Sequence, residues 1–363
     1  MRIRELDGLR GIAVLAVMAQ HYLAWLPATG SNNGWLGVDL FFILSGFLIT
    51  SILIKLRDEK HYFSVFYERR ALRIFPPYFL AILVYLGASL LSGKSGTLNL
   101  WTQYVFYYTS LYVGQPRELD YAVILPVRLG LAVLWSLSVE ELYYTFWAPI
   151  VRFTSQKGFL GILLAMIVAA PLLRWWLHTP LYPETYTFYC RMDALAYGSL
   201  LALLMQERHK AVVLWKHRDK LFDFAAIGTA VATTLLWIYL RGDRSSVLLT
   251  TVGLVMADLS FALITFAILR KSGSAAWWMR ALRAKWLRSV GMVSYSLYLF
   301  HYPLGNLVGQ WVSTWGLSRH PAVIIQVLLS VLVSFSVAYL LWYGMESRIL
   351  RWKDRHVPSP AHP

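Results

Sequence analysis

Ten apolar runs, each close to 20 residues long, constrain this chain more than any other feature. They lie at roughly 8–26, 35–54, 76–92, 130–151, 158–177, 190–206, 221–240, 246–269, 289–312 and 321–345. A helix of about 20 residues crosses about 30 Å of hydrocarbon, and in lipid such a run must satisfy its own backbone hydrogen bonds. Composition agrees: 58% of the 363 residues are hydrophobic and only 15% are charged. The mean hydropathy of +0.51 exceeds what a soluble domain can hide. The chain therefore reads as an all-α integral membrane protein, a single bundle of about ten transmembrane helices. Its first run follows "RIRELDGLR" and lacks a small-residue cleavage site, so it reads as a retained span and not a signal peptide. Residues 1–352 form one domain, with the longest gaps, 93–129 and 270–288, expected as loops or short surface helices. The remainder, 353–363, is expected as a short, disordered cytoplasmic tail.

Ten spans put both termini on one side, and the basic residues choose it. Assigning the loops alternately places 26 of the 34 Lys and Arg on the side of the N-terminus. By the positive-inside rule both termini are cytoplasmic. The same distribution accounts for the net charge of +15 through loops facing anionic lipid, which removes the case for nucleic acid as a partner. Membrane lipid is the expected surroundings. The single cysteine, Cys190, excludes an internal disulfide framework and a cysteine metal site, and no metal is expected.

Within the first run, "RGIAVLAVMAQH" sets Arg10 and His21 eleven residues apart. Eleven helical steps make three turns plus about 20°, so the two side chains share a face about 16 Å apart along the axis. A snorkelling arginine with a core histidine would satisfy this pattern, but ionisable groups inside a membrane are expensive and commonly functional. Asp39, about five residues into the second run, is expected at the depth of His21 across a short hairpin. A carboxylate there would orient the imidazole and strengthen it as a general base toward a hydroxyl. At the cytoplasmic side, "FYERRALRIFPPY" ends a polar loop with Arg69, Arg70 and Arg73 before a span opened by Pro76 and Pro77. Arginine forks hold phosphate bidentately, so these three, with Arg10, are candidates for an anionic phosphate-bearing donor; ordinary orientation signal is the competing reading.

Deeper in the bundle, "LWSLSVEELYY" carries Glu140 and Glu141, with Ser136, Glu140 and Tyr144 on one helical face. "SYSLYLFHYPL" carries His301, a cavity residue or a satisfied core histidine. Arg191 and Asp193 read as a local ion pair. Asp258 receives no role.

These segments, "LDGLRGIAVLAVMAQH", "GWLGVDLFFILSGFLIT", "FYERRALRIFPPY", "WSLSVEELYY" and "SYSLYLFHYPL" in that order, resemble the acyltransferase-3 family of membrane acyltransferases, from Arg4 to about Trp352. The resemblance implies a bundle of about ten helices in a bacterial inner membrane. It would take an acyl group, commonly acetyl, from cytosolic acyl-coenzyme A as donor substrate, with no permanently bound cofactor. The acceptor would be a hydroxyl of an extracytoplasmic sugar, in O-antigen, exopolysaccharide, peptidoglycan or a glycoside. The family's essential histidine falls on His21 within the pair Arg10 and His21, its donor-side arginines on Arg70 and Arg73, and its acidic motif on Glu140 and Glu141. Leu142 departs from the glutamine that many relatives carry there. Some members append an extracytoplasmic esterase-like domain of the SGNH type. This chain ends soon after its last span, so the bundle is expected to work alone or with a separate extracytoplasmic partner protein.

On this reading His21 and Asp39 are the catalytic pair and Arg10, Arg69, Arg70 and Arg73 hold the donor. Ser136, Glu140, Glu141, Tyr144 and His301 line the cavity for the substrate. The competing class is a proton-coupled transporter or exporter of a lipid or glycan, built on the same buried His, Asp and Glu residues.

Overall fold

Each apolar run is mainly helical over its described residues in the computed structural model, which describes residues 3–23, 31–91, 105–107, 109–111, 131–178, 186–206, 219–243 and 245–358. In chain order the helices are α1 Arg4–Leu23, α2 Gly37–Leu56, α3 Tyr62–Leu91, α4 Trp135–Phe153, α5 Gln156–Leu177, α6 Met192–Gln206 and α7 Asp219–Tyr239. They continue with α8 Leu254–Arg270, α9 Trp277–Leu282, α10 Lys285–Met292, α11 Ser294–Ser313, α12 Arg319–Leu341 and α13 Ser347–His356. No strand occurs among the described residues. Among the described residues, six helical stretches are long and apolar enough to cross a membrane: Asn33–Leu56, Tyr62–Gly87, Gln156–Leu177, Lys220–Tyr239, Leu249–Arg270 and Arg319–His356. The other four expected runs coincide with α1, α4, α6 and α11. Most of the 93–129 segment, with Lys94, Arg117 and Arg128, lies outside the described residues, as does the end of the C-terminal tail.

Packing follows from small residues where helices meet. Between α2 and α6, a Cβ at Gly46 would collide with the backbone carbonyl of Leu195, and one at Gly198 with that of Ile43. Two glycines facing each other's backbone let the helices touch directly, as close packing between membrane helices requires. Outer faces are apolar instead: Leu221, Phe224, Ile227, Leu235 and Ile238 along α7 are all exposed, as are Leu328, Leu332 and Leu340 along α12. Such faces suit lipid, where no water need be displaced from them.

Two expectations about element boundaries change. The arginine segment is not a loop before a span, because α3 begins at Tyr62 and runs through Pro76 and Pro77. Proline fits helical φ and loses only the hydrogen bonds to the carbonyls four residues before it. The N-terminal half of α3 is held in place by Tyr62, whose hydroxyl donates to the Ala148 carbonyl at 2.7 Å. Residues 353–358 are likewise not a loose tail, and the remaining tail positions lie outside the described residues. A π-helical turn at Trp342–Glu346 carries α12 into α13, which stays helical to His356 and buries Val357. Asp354 on α13 pairs with Arg69 at 2.6 Å, clamping the segment against α3. The 270–288 region does form the short helices α9 and α10, and α10 packs along α1.

Candidate functional site

His21 sits near the C-terminal end of α1, and the residue beside it is His301 of α11. His301 Nε2 lies 3.0 Å from His21 Nδ1, with ring centroids 4.9 Å apart. His301 is completely buried, and its Nδ1 faces the backbone carbonyls of Tyr298 at 2.8 Å and Leu297 at 3.1 Å. Two acceptors require a proton on that nitrogen, so neutral His301 presents a lone pair at Nε2. His21 Nδ1 then carries the proton that it donates to His301, with the Val17 carbonyl also 3.0 Å away. The consequence is a fixed tautomer: His21 Nε2 is left with the lone pair, in the form a general base needs. Tyr22 locks the arrangement by donating to the His301 carbonyl at 2.7 Å while its oxygen contacts Ser334 Oγ on α12 at 2.7 Å.

Asp39 is not His21's partner. It is fully buried in the first turn of α2 and pairs with Arg191 just before α6. Asp193, in the first turn of α6, pairs bidentately with Arg174 of α5 at 2.7 and 3.1 Å. The expected Arg191–Asp193 pair is thus replaced by two pairs that tie α2, α5 and α6 together, with the unassigned Asp258 of α8 buried nearby. Each carboxylate starts a helix, where the macrodipole favours negative charge, and each needs a guanidinium because neither is near water. Matching depth in a hairpin gave no sign that the far side of Asp39 would face α6.

The arginines diverge in role. Arg70 donates to Glu141 at 3.0 Å, lies 3.8 Å from Glu140, and covers the Tyr144 ring at 3.2 Å. Glu140 also accepts from Ser45 at 3.0 Å and Tyr144 at 2.8 Å. The acidic pair of α4 is therefore neutralised and hydrogen-bonded from within. Ser136 contacts the Tyr298 hydroxyl at 2.6 Å, joining α4 to the His301 helix. Arg69 is occupied by Asp354 and by the Val357 carbonyl at 2.8 Å. Arg73 makes no hydrogen bond or ion pair with a described residue, and its side chain stays accessible. Its charged neighbours are Arg10, Arg70, Glu346 and Asp7. Glu346 is held by Ser296 Oγ at 2.6 Å. Sequence reasoning missed Glu346, although it is the one acid between Arg319 and Lys353.

Alongside His21, between α1, α11 and α12, a cavity has room for about one water-sized group. Tyr302, Gly305, Asn306, Gln326 and Ser330 help to line it. Gln326, Ser330 and Ser334 recur every four residues along α12, a stripe that was legible in the sequence.

A histidine pair thus stands near one end of α1, and Arg10, with Arg70 and Arg73 nearby, stands near the other. The profile of the acyltransferase-3 family, described as an acyltransferase domain, matches residues 3–343, and the chain belongs to that family. It is similar to O-acetyltransferase OatA of Staphylococcus aureus (strain NCTC 8325 / PS 47), with 27% identity over 342 residues, 91% of this chain and 55% of the relative. It is also similar to peptidoglycan O-acetyltransferase OatA of Listeria monocytogenes serovar 1/2a, with 26% identity over 317 residues, 84% of this chain and 50% of the relative. The chain thus spans about half the length of the curated relatives it matches. No solved structure matches it.

Proposed function

We propose that the chain is a membrane-bound O-acetyltransferase of the bacterial inner membrane, with ten spans and both termini cytoplasmic. It takes acetyl from acetyl-coenzyme A on the cytoplasmic side and passes it to a hydroxyl of an extracytoplasmic cell-wall carbohydrate. The names of the relatives support acetyl as the group and peptidoglycan as the first acceptor to test. The observation that carries the reading is one face of α1. Arg10, next to the accessible Arg73, stands at one end, and His21 against His301 stands about 16 Å away at the other.

Arg73 and Arg10 hold the donor's phosphates, and the pantetheine arm spans the interval to His21. Arg70, already bound to Glu141, shapes the passage and does not bind phosphate itself. At the far end His21 Nε2 removes the proton of the acceptor hydroxyl. The hydroxyl oxygen attacks the thioester carbonyl, the carbon–sulfur bond breaks, and coenzyme A leaves as the thiol with the proton returned by His21. His301 stabilises the charged His21 by accepting the Nδ1 proton's hydrogen bond in a dry setting. Membrane vesicles given labelled acetyl-coenzyme A and peptidoglycan precursors test this. Wild type should label the glycan and His21→Ala should not; labelling by that variant at the wild-type rate would sink the mechanism, and none by either would remove the activity.

A further inference from the structure

The cavity beside His21 has a chemistry of its own. Ser330 is 1% exposed, and its hydroxyl, buried, makes no hydrogen bond with a described residue. One turn before it on α12, the Gln326 side chain reaches toward α11 at Gly309, where a Cβ would stand 2.5 Å from the amide nitrogen. At Gly305, one turn back along α11, a Cβ would stand 2.6 Å from the Tyr22 ring. These two glycines keep open the cleft into which Asn306 and Tyr302 also face. Among the described residues the lining includes no Lys, Arg, Asp or Glu. A buried polar space of this size is filled by a group that both donates and accepts hydrogen bonds, and an anion entering it would have no countercharge.

We infer that this cavity is the acceptor subsite, in which Ser330, Gln326 and Asn306 hold one neutral hydroxyl of the glycan against His21 and so determine which acceptor is acylated. The inference rests on the acetyl-transfer reading above. Its geometry separates the two substrates: the donor arrives along α1 from Arg10, whereas the acceptor enters between α11 and α12 from the end where His21 lies. In the transfer, the hydroxyl seated by Ser330 and Gln326 is the one that loses its proton to His21 and bonds to the acetyl carbon. Amide and hydroxyl partners suit either direction of that hydrogen bond, which a hydroxyl needs before and during proton loss. A carboxylate or phosphate on the acceptor is rejected at this point, because its charge would be buried unpaired.

Two measurements test the subsite. In vesicles with labelled acetyl-coenzyme A and soluble peptidoglycan strands, Ser330→Ala and Gln326→Leu should each raise the acceptor KM by about tenfold, because a site built on hydrogen bonds loses discrimination with each one. The donor KM should stay within about twofold, which a general loss of structure would not spare. Leu328→Ala, on the exposed face of the same helix, should move neither constant. The second measurement needs no donor. Ser330→Cys should react with the neutral reagent hydroxyethyl methanethiosulfonate, and soluble peptidoglycan strands should slow that reaction. Label on the glycan with unchanged acceptor KM in both variants would overturn the subsite and leave the transfer reading standing. Missing label in wild type, with strands still protecting Ser330→Cys, would overturn the transfer reading and leave the subsite. A Ser330→Cys variant that the reagent does not label, or labels at a rate that strands do not slow, would overturn the subsite in either case.

Discussion

His301 donates through Nδ1 to the backbone of its own helix and turns its Nε2 toward His21 Nδ1 at 3.0 Å. The pair needs no carboxylate to set the tautomer of His21. It also keeps the centre uncharged until a proton is taken from the substrate, which lowers the cost of housing it inside a bundle.

Replacing His301 should therefore look catalytic and not structural. His301→Ala is expected to lower kcat by about 100-fold, at the small end of what general-base catalysis supplies, with little change in either KM. His301→Gln, which can still accept from His21, should recover part of the loss. Steady-state kinetics in vesicles decide it; unchanged kcat in His301→Ala would show that His21 needs no partner there.

Arg73 and Arg69 should separate cleanly although they lie one turn apart. Arg73→Ala is expected to raise the donor KM by about 10- to 100-fold, the loss of a charge-assisted phosphate contact. Arg69→Ala breaks the contact with Asp354 and α13 and should leave the donor KM near wild type. Titration with acetyl-coenzyme A measures both, and equal effects would contradict the division of labour.

Asp39→Ala should fail by unfolding and not by slow chemistry. Removing one member of a buried ion pair strands the other charge, a loss of about 3–5 kcal/mol. The Arg191 guanidinium, 1% exposed, would be left so. Thermal unfolding in detergent should register the drop. A stable, well-folded Asp39→Ala protein that had lost only activity would restore Asp39 to the catalytic centre.

Gly46→Ala tests the closest helix contact. A methyl group there meets the Leu195 carbonyl, so α2 and α6 must part. The expected cost is about 1–3 kcal/mol, as for other overpacked interiors. Gly161→Ala, on the α5 surface with open space around it, is the control and should leave unfolding unchanged.

Glu5 supplies a pH-dependent contribution at the start of α1. Burial pushes its carboxyl up, but the Gly273 amide at 3.0 Å, Arg283 at 2.9 Å and Ser272 at 3.2 Å outweigh it and hold the group below its ordinary value of 4.5. A carboxyl depressed in the folded state stabilises fully above the unfolded value and loses that stabilisation as pH falls through the folded one. Glu5→Gln should therefore lower the unfolding temperature at pH 7 and narrow its gap to wild type toward pH 4. An equal gap at both pH values would show that the ion pair with Arg283 contributes nothing.

The sequence by itself determined the class and most of the elements. Runs of 20 apolar residues have one favourable conformation in lipid, so α2, α5, α7, α8 and α12 were readable from length and hydropathy alone. His21 and Arg10 on one face of α1 followed from helical periodicity, and the glutamates of α4 from the cost of charge at depth. Partnership was not readable. Asp39 and Arg191 lie 152 residues apart, and Arg70 finds Glu141 across 71. Periodicity fixes which face of a helix a residue occupies but not which neighbour that face meets, because the packing of α2 on α6 is decided by backbone approach at Gly46 and Gly198. The helical course of α3 through Pro76 and Pro77 was hidden for a related reason: local propensity argues for a break, and contacts with α4 and α13 override it. The same tertiary packing brought His301 to His21 across 280 residues, which the spacing within either segment could not announce.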